Sequence, residues 1–211
     1  MRALPLELHE PGWPERFEEA LASDAPVVLA AKGPIEGPFV SADAVEALLR
    51  HPWPVLGVVA GRLGADVSPL FLACDGLSWC RGGLLELRPS GRGEATLLAW
   101  RLGAAGAARC WFGGGRLTPA VARSSVWICT TRSGYAEALE RTLDAFGGFS
   151  PTALGLLREL LIHQHGLPTA PALALERRAF SLLFASGEPL EGIGAFLEHR
   201  RPRFGIVRSE K

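Results

Sequence analysis

The sequence predicts an α/β core followed by a largely helical C-terminal stretch. Three observations carry that expectation. Short, fully apolar segments of strand length recur in the first half of the chain, helical patterns separate them, and from about residue 94 the helical patterns dominate. Strands alternating with helices point to an α/β layer and not to a sandwich.

The elements follow in order. Residues 4–9 alternate apolar and polar, as a half-buried strand does, and 14–21 suit a short helix. Residues 25–31 form a fully apolar strand, and Gly33-Pro-Ile-Glu-Gly-Pro reads as loop. Ser41 is placed to cap a helix that runs to Arg50 and stops at His51-Pro52. Residues 54–60 are a second buried strand. A glycine turn, the apolar run 69–73 and a third strand near 77–79 come next. Helical patterns occupy 94–102, 104–111 and 118–123, then a strand-like stretch covers 126–131. Helices are expected at 135–146, 151–163, 171–185 and 188–198. Gly147-Gly148 marks the boundary between a core, residues 1–147, and a helical region, residues 148–211.

Composition narrows the function classes. Hydrophobic residues make up 48% and charged residues 21%, the balance of an ordinary globular domain. Lys and Arg together number 22, as do Asp and Glu, so no basic excess points to nucleic acid. The first ten residues lack the apolar core of a signal peptide, and no apolar run is long enough to span a bilayer, so a cytoplasmic location without membrane contact is expected. Cys74, Cys80, Cys110 and Cys129 are scattered with no C-x-x-C pair, and the five histidines do not cluster with them. Reduced, buried cysteines and no metal site are therefore expected.

The most informative segment is the last helix, from Gly187 to Phe204. Glu188 and Glu191 stand near its N-terminus, while His199, Arg200 and Arg201 stand near its C-terminus, each where the helix dipole favours that charge. Ile193, Phe196 and Leu197 fall at i, i+3, i+4 on one apolar face. The letters Glu191-Gly192, Ala195-Phe196, Arg200-Arg201, Pro202 and Phe204 resemble the ending of the enoyl-CoA hydratase/isomerase (crotonase) family. The stretch from His51 to Asp75, in which Pro54-Val-Leu-Gly-Val-Val-Ala-Gly61 leads through Gly64 to Ala73-Cys74-Asp75, resembles a second family segment. Trp100-Arg-Leu-Gly103, Arg109-Cys-Trp-Phe and Thr118-Pro-Ala-Val-Ala resemble a third. The order and spacing agree from about residue 50 to 204. Pro38-Phe39-Val-Ser-Ala42-Asp43 is similar to an N-terminal family motif in compressed form.

The resemblance implies a crotonase-like spiral of ββα units with a helical C-terminal region. It also implies an acyl thioester substrate, on coenzyme A or on an acyl-carrier protein, whose carbonyl oxygen sits between two backbone N–H groups. Preorganised donors of this kind contribute roughly 3–4 kcal/mol each. By motif position the donors are the N–H groups of Ala42 and Asp66, and Gly64 and Ala65 of the adjoining turn fall to substrate binding. Asp66 replaces a family glycine, which puts a carboxylate beside a developing oxyanion. Of the two family glutamates that activate water, one aligns with Pro69 and the other falls near Gly82-Gly83. Glu86 is the nearest carboxylate to that second position; the alternative for it is a solvent-facing strand residue. Cys74 and Asp75 fall to packing and turn capping, and Asp66 and Ser68 to helix capping.

Ordinary glutamate-pair hydration is therefore not expected. Two functions stay open. One is an enzyme that stabilises an enolate on an acyl thioester, as a dehydratase, isomerase or decarboxylase of polyketide-type metabolism. The other is a catalytically silent homologue that serves as a partner subunit of another crotonase-family enzyme or as an acyl-binding module. No resident cofactor is expected, since coenzyme A or phosphopantetheine would enter with the substrate. The family likeness further implies a homotrimer.

Overall fold

The structure is a computed structural model that describes residues 3–35, 40–122, 128–130, 134–164 and 166–204. In chain order the elements are β1 (Leu4–Glu7), α1 (Trp13–Leu21), β2 (Val27–Lys32), α2 (Ala42–Arg50), β3 (Val55–Ala60), β4 (Arg62–Leu63), α3 (Ser68–Ala73), β5 (Gly76–Trp79) and β6 (Leu84–Glu86). Then come α4 (Glu94–Phe112), β7 (Arg116–Leu117), α5 (Pro119–Ala122), β8 (Ile128–Thr130) and α6 (Tyr135–Asp144). The chain continues with α7 (Pro151–His163), α8 (Thr169–Ala185) and α9 (Glu188–Leu197).

Strands β1, β2, β3, β5 and β8 lie in that order in one parallel sheet. A smaller sheet holds β4, β6 and β7, with β4 and β6 parallel and β6 and β7 antiparallel. Two successive units therefore run large-sheet strand, small-sheet strand, helix: β3–β4–α3 and β5–β6–α4. This mixed α/β architecture agrees with the expected ββα spiral.

The fully apolar strands are explained by burial on both faces. Along β2, Val27, Leu29 and Ala31 enter a core shared with α1 to α4, whereas Val28 and Ala30 face a second cluster with Ala138 and Leu143 of α6. Ser41 caps α2, its hydroxyl accepting from the Ala44 N–H at 3.1 Å. The two helical patterns at 94–102 and 104–111 merge into α4 with a break at Gly103, where φ is 70° and ψ is 167°.

Several expectations are corrected. The apolar run 69–73 forms the helix α3, and the short strands β4 and β7 join the expected elements. Neither Asp66 nor Ser68 caps α3: the cap position is Val67, and the Ser68 hydroxyl instead donates to the Gly64 carbonyl at 2.9 Å. The apolar face of α9 is uncovered in the single chain, with Ile193, Phe196 and Leu197 at 53%, 78% and 70% exposure. Glu191 grips Arg200 beyond the end of α9 with both carboxylate oxygens, at 2.6 and 3.0 Å. His165 and residues 126, 127 and 131 of the strand-like stretch lie outside the described residues.

Candidate functional site

Ala42 is the first residue of α2, so its N–H is one of the donors that a helix leaves without an internal acceptor. Asp66 lies in the turn before α3, where the Val67 and Ser68 N–H groups both donate to the Gly64 carbonyl, at 3.3 and 3.2 Å. Among the described residues, neither the Ala42 nor the Asp66 N–H has a protein acceptor.

The two segments are tied together by Arg92, a residue the sequence did not single out. Glycines at 91 and 93, with φ of 81° and 92°, flank it, and its side chain turns inward to 4% exposure. Nη1 donates to the Val40 carbonyl at 3.2 Å and to the Asp66 carbonyl at 2.9 Å, while Nη2 donates to the Ala65 carbonyl at 2.9 Å. A single nitrogen thus bridges the chain just before α2 and the turn just before α3.

Glu94 balances the buried cation. Its carboxylate accepts from Arg92 Nε at 3.2 Å and from the Arg92 N–H at 3.0 Å, and it also accepts from the Ser90 hydroxyl. Burial alone would raise the Glu94 pKa. The Ser90 hydroxyl, its own N–H, the Arg92 N–H and the guanidinium outweigh burial and hold it below the ordinary carboxylate value. An ionised, fully engaged Glu94 is therefore no proton donor.

Glu86 sits on β6 and its carboxylate pairs with Arg62 Nη2 of β4 at 2.5 Å. Pro69 is buried within α3. Gly64 and Ala65 adjoin Asp66 in one turn, and the Gly64 carbonyl is taken by the turn itself. Asp75 performs the structural task expected of it: Oδ2 accepts from the Val55 N–H at 2.8 Å and from Arg158 Nε at 2.6 Å. Cys74 is buried, and burial pushes its thiol far above its ordinary range, so it is no nucleophile.

Two clefts of about 460 and 520 Å³ flank α7, and neither is lined by Ala42, Gly64, Ala65, Asp66 or Glu86. Among the described residues no group of three His, Cys, Asp or Glu side chains is placed to hold a metal ion. Among them also, no helix is long and apolar enough to cross a membrane.

No protein-family model matches the chain, and no curated protein matches it. Solved structures do. An enoyl-CoA hydratase from Polaromonas sp. JS666 superposes with a TM-score of 0.75 at 24% identity, with 96% of each chain covered. An enoyl-CoA hydratase from Bacillus anthracis gives a TM-score of 0.75 at 18% identity, covering 94% of this chain and 90% of that one. Human enoyl coenzyme A hydratase domain-containing protein 3 also gives 0.75 at 18% identity, covering 95% and 91%. Likeness at such low identity speaks for architecture, and it extends over nearly the whole chain. The chain has the fold of the enoyl-CoA hydratase/isomerase (crotonase) superfamily.

Proposed function

We propose that the chain binds an acyl thioester, carried by coenzyme A or by an acyl-carrier protein, and stabilises negative charge on its carbonyl oxygen. The observation that supports this is the bridge at Arg92 Nη1 between Val40 and Asp66. It brings together two segments that each supply a backbone N–H with no protein acceptor among the described residues, those of Ala42 and Asp66. Gly64 and Ala65 complete the turn beside the acyl group. The carrier's pantetheine is part of the substrate, and no resident cofactor is needed.

The chemistry is not glutamate-pair hydration. Pro69 carries no transferable proton, and Glu86 is held by Arg62. Enolate stabilisation without a paired water activator suits isomerisation, decarboxylation or dehydration of a tethered acyl group, as in polyketide-type metabolism. A second function, a catalytically silent partner subunit whose thioester site is lost, is favoured by the Asp66 carboxylate in the turn together with the Glu86–Arg62 pair.

Calorimetry with butyryl-CoA and a hydration assay with crotonyl-CoA separate these. Binding without hydration supports the proposal. A positioned acid or base contributes roughly 10²–10⁴-fold in rate, so robust hydration would overturn the assignment of Pro69 and Glu86. Absence of binding that Asp66→Gly restores would favour the silent partner.

We also propose self-association through α8 and α9. Phe180, Phe184, Ile193, Phe196 and Leu197 are each at least half exposed on these helices, an apolar surface that isolated soluble chains rarely leave bare. Sedimentation should show an oligomer, a trimer by family resemblance, and Phe180→Glu with Phe196→Glu should dissociate it. A wild-type monomer would refute this.

A further inference from the structure

We propose that Arg92 is a positioning residue for the thioester oxygen: by holding the Ala65 carbonyl it aims and strengthens the Asp66 N–H. The inference rests on the oxyanion-binding function proposed above.

A trans peptide unit is planar, with its C=O and N–H on opposite sides. The Ala65 carbonyl and the Asp66 N–H belong to the same unit. Arg92 Nη2 lies 2.9 Å from that oxygen, so the Asp66 N–H points the other way, out of the buried Arg92–Glu94 cluster. Nη1 holds the next carbonyl, that of Asp66, also at 2.9 Å. Both peptide units flanking the Asp66 Cα are thereby fixed by one rigid, planar group. Lysine, a point charge on a flexible stem, offers no such fork.

Charge adds to geometry. A cation on a carbonyl oxygen polarises the whole amide, and hydrogen bonds chained through it strengthen cooperatively, by about 10–30% per bond. The N–H of a polarised amide is the better donor to a developing oxyanion. At this position the effect offsets a specific handicap, the Asp66 carboxylate on the residue that supplies the N–H. Glu94 keeps the buried guanidinium neutralised without engaging the Ala65 or Asp66 carbonyls. The Val40 contact at 3.2 Å ties the same guanidinium to the segment that leads into Ala42, so one side chain sets the spacing of both donors.

The test uses infrared spectroscopy of butyryl-CoA isotope-labelled at its thioester carbonyl, bound to the full chain. In the wild type the carbonyl stretch should shift to lower frequency on binding. Arg92→Lys keeps the charge and loses the fork, whereas Arg92→Gln combined with Glu94→Gln removes both buried charges together. Each should lose most of the shift and bind about tenfold more weakly, since donor alignment governs oxyanion stabilisation. A residue that served only folding would change melting temperature and leave the carbonyl frequency of the bound ligand untouched. Retention of the full shift in either folded variant therefore overturns the inference and leaves the thioester function standing. If the neutral double variant fails to fold, Arg92→Lys alone decides. No shift in the wild type would defeat the thioester function itself.

Discussion

Arg158 offers the sharpest test of how the helical region is held to the α/β core. It is the buried residue of α7, with its side chain 5% exposed. Nε donates to Asp75 Oδ2 at 2.6 Å, Nη2 to the Leu48 carbonyl at 2.9 Å, and Nη1 to the Leu49 carbonyl at 3.3 Å and to the His51 carbonyl. One guanidinium thus caps the C-terminal carbonyls of α2 and neutralises the carboxylate beneath β3. Arg158→Ala leaves all four acceptors without it.

Breaking a buried ion pair by removing one partner costs about 3–5 kcal/mol. Asp75 is still 20% exposed and keeps the Val55 N–H at 2.8 Å, with Arg101 at 4.0 Å, so the lower end applies. The three carbonyls contribute about 1 kcal/mol each while bonded, partly recovered when water enters the vacated space. Together these give about 3–4 kcal/mol, or a fall in Tm of about 6–15 °C for a chain of this size. Arg158→Lys, which keeps a cation near Asp75 without the fork, should lose about half as much. Thermal and urea melts followed by circular dichroism measure both. An Arg158→Ala protein that melts within about 2 °C of wild type would refute the role of Arg158 as the anchor, given that scaling.

Three further outcomes are expected. Gly103 occupies a backbone region open essentially to glycine alone, and a Cβ there meets nothing within 4 Å, so Gly103→Ala should cost about 1–3 kcal/mol from backbone strain only, read as a lower urea midpoint. Burial holds His51 below its ordinary pKa with Nε2 facing the Ala25 carbonyl at 3.0 Å, so the folded state resists its protonation. Stability from this source is complete above about pH 6.5 and falls as pH drops below it, and His51→Gln should flatten that slope in urea midpoints. Glu94 has a depressed folded pKa, so its contribution is present above the ordinary carboxylate value and is lost as pH falls through the folded pKa. Glu94→Gln should remove that acid-limb dependence without altering the one near pH 6.5, and unchanged acid sensitivity would contradict the pairing with Arg92.

Features written into local sequence were legible in it. The capping serine at 41, the break at Gly103 and the two-sided burial of residues 27–31 all follow from neighbouring residues or short periodicities. Strands β4 and β7 have two residues each and exist only through pairing with β6, from far along the chain in the case of β7. No pattern of two residues can announce that. The burial of Arg92 and Arg158 is not legible in the sequence for a related reason. Arginine is usually a surface residue, and its burial depends on carbonyls left open elsewhere, here at the turn before α3 and at the end of α2. The glycines on both sides of Arg92 were the one local signal, since paired left-handed positions can turn a side chain inward.

The candidate site divides along the same line. Its departures from the pattern that the resemblance implies, Asp66 for a glycine and Pro69 for a glutamate, concern side chains, whereas the oxyanion donors proposed above are backbone atoms. A helix start supplies the Ala42 N–H whatever its side chain is, because the first turn has no internal acceptors. The Asp66 N–H has no such guarantee: its direction depends on how the turn is held, and what holds the two carbonyls around it is the Arg92 fork. On the proposed function, the absence of a glutamate pair therefore removes one chemistry, water activation, without removing the charge-stabilising element on which that proposal rests. Whether that element is used is decided at a single peptide unit, between Ala65 and Asp66, where a cation behind the carbonyl opposes a carboxylate one residue ahead.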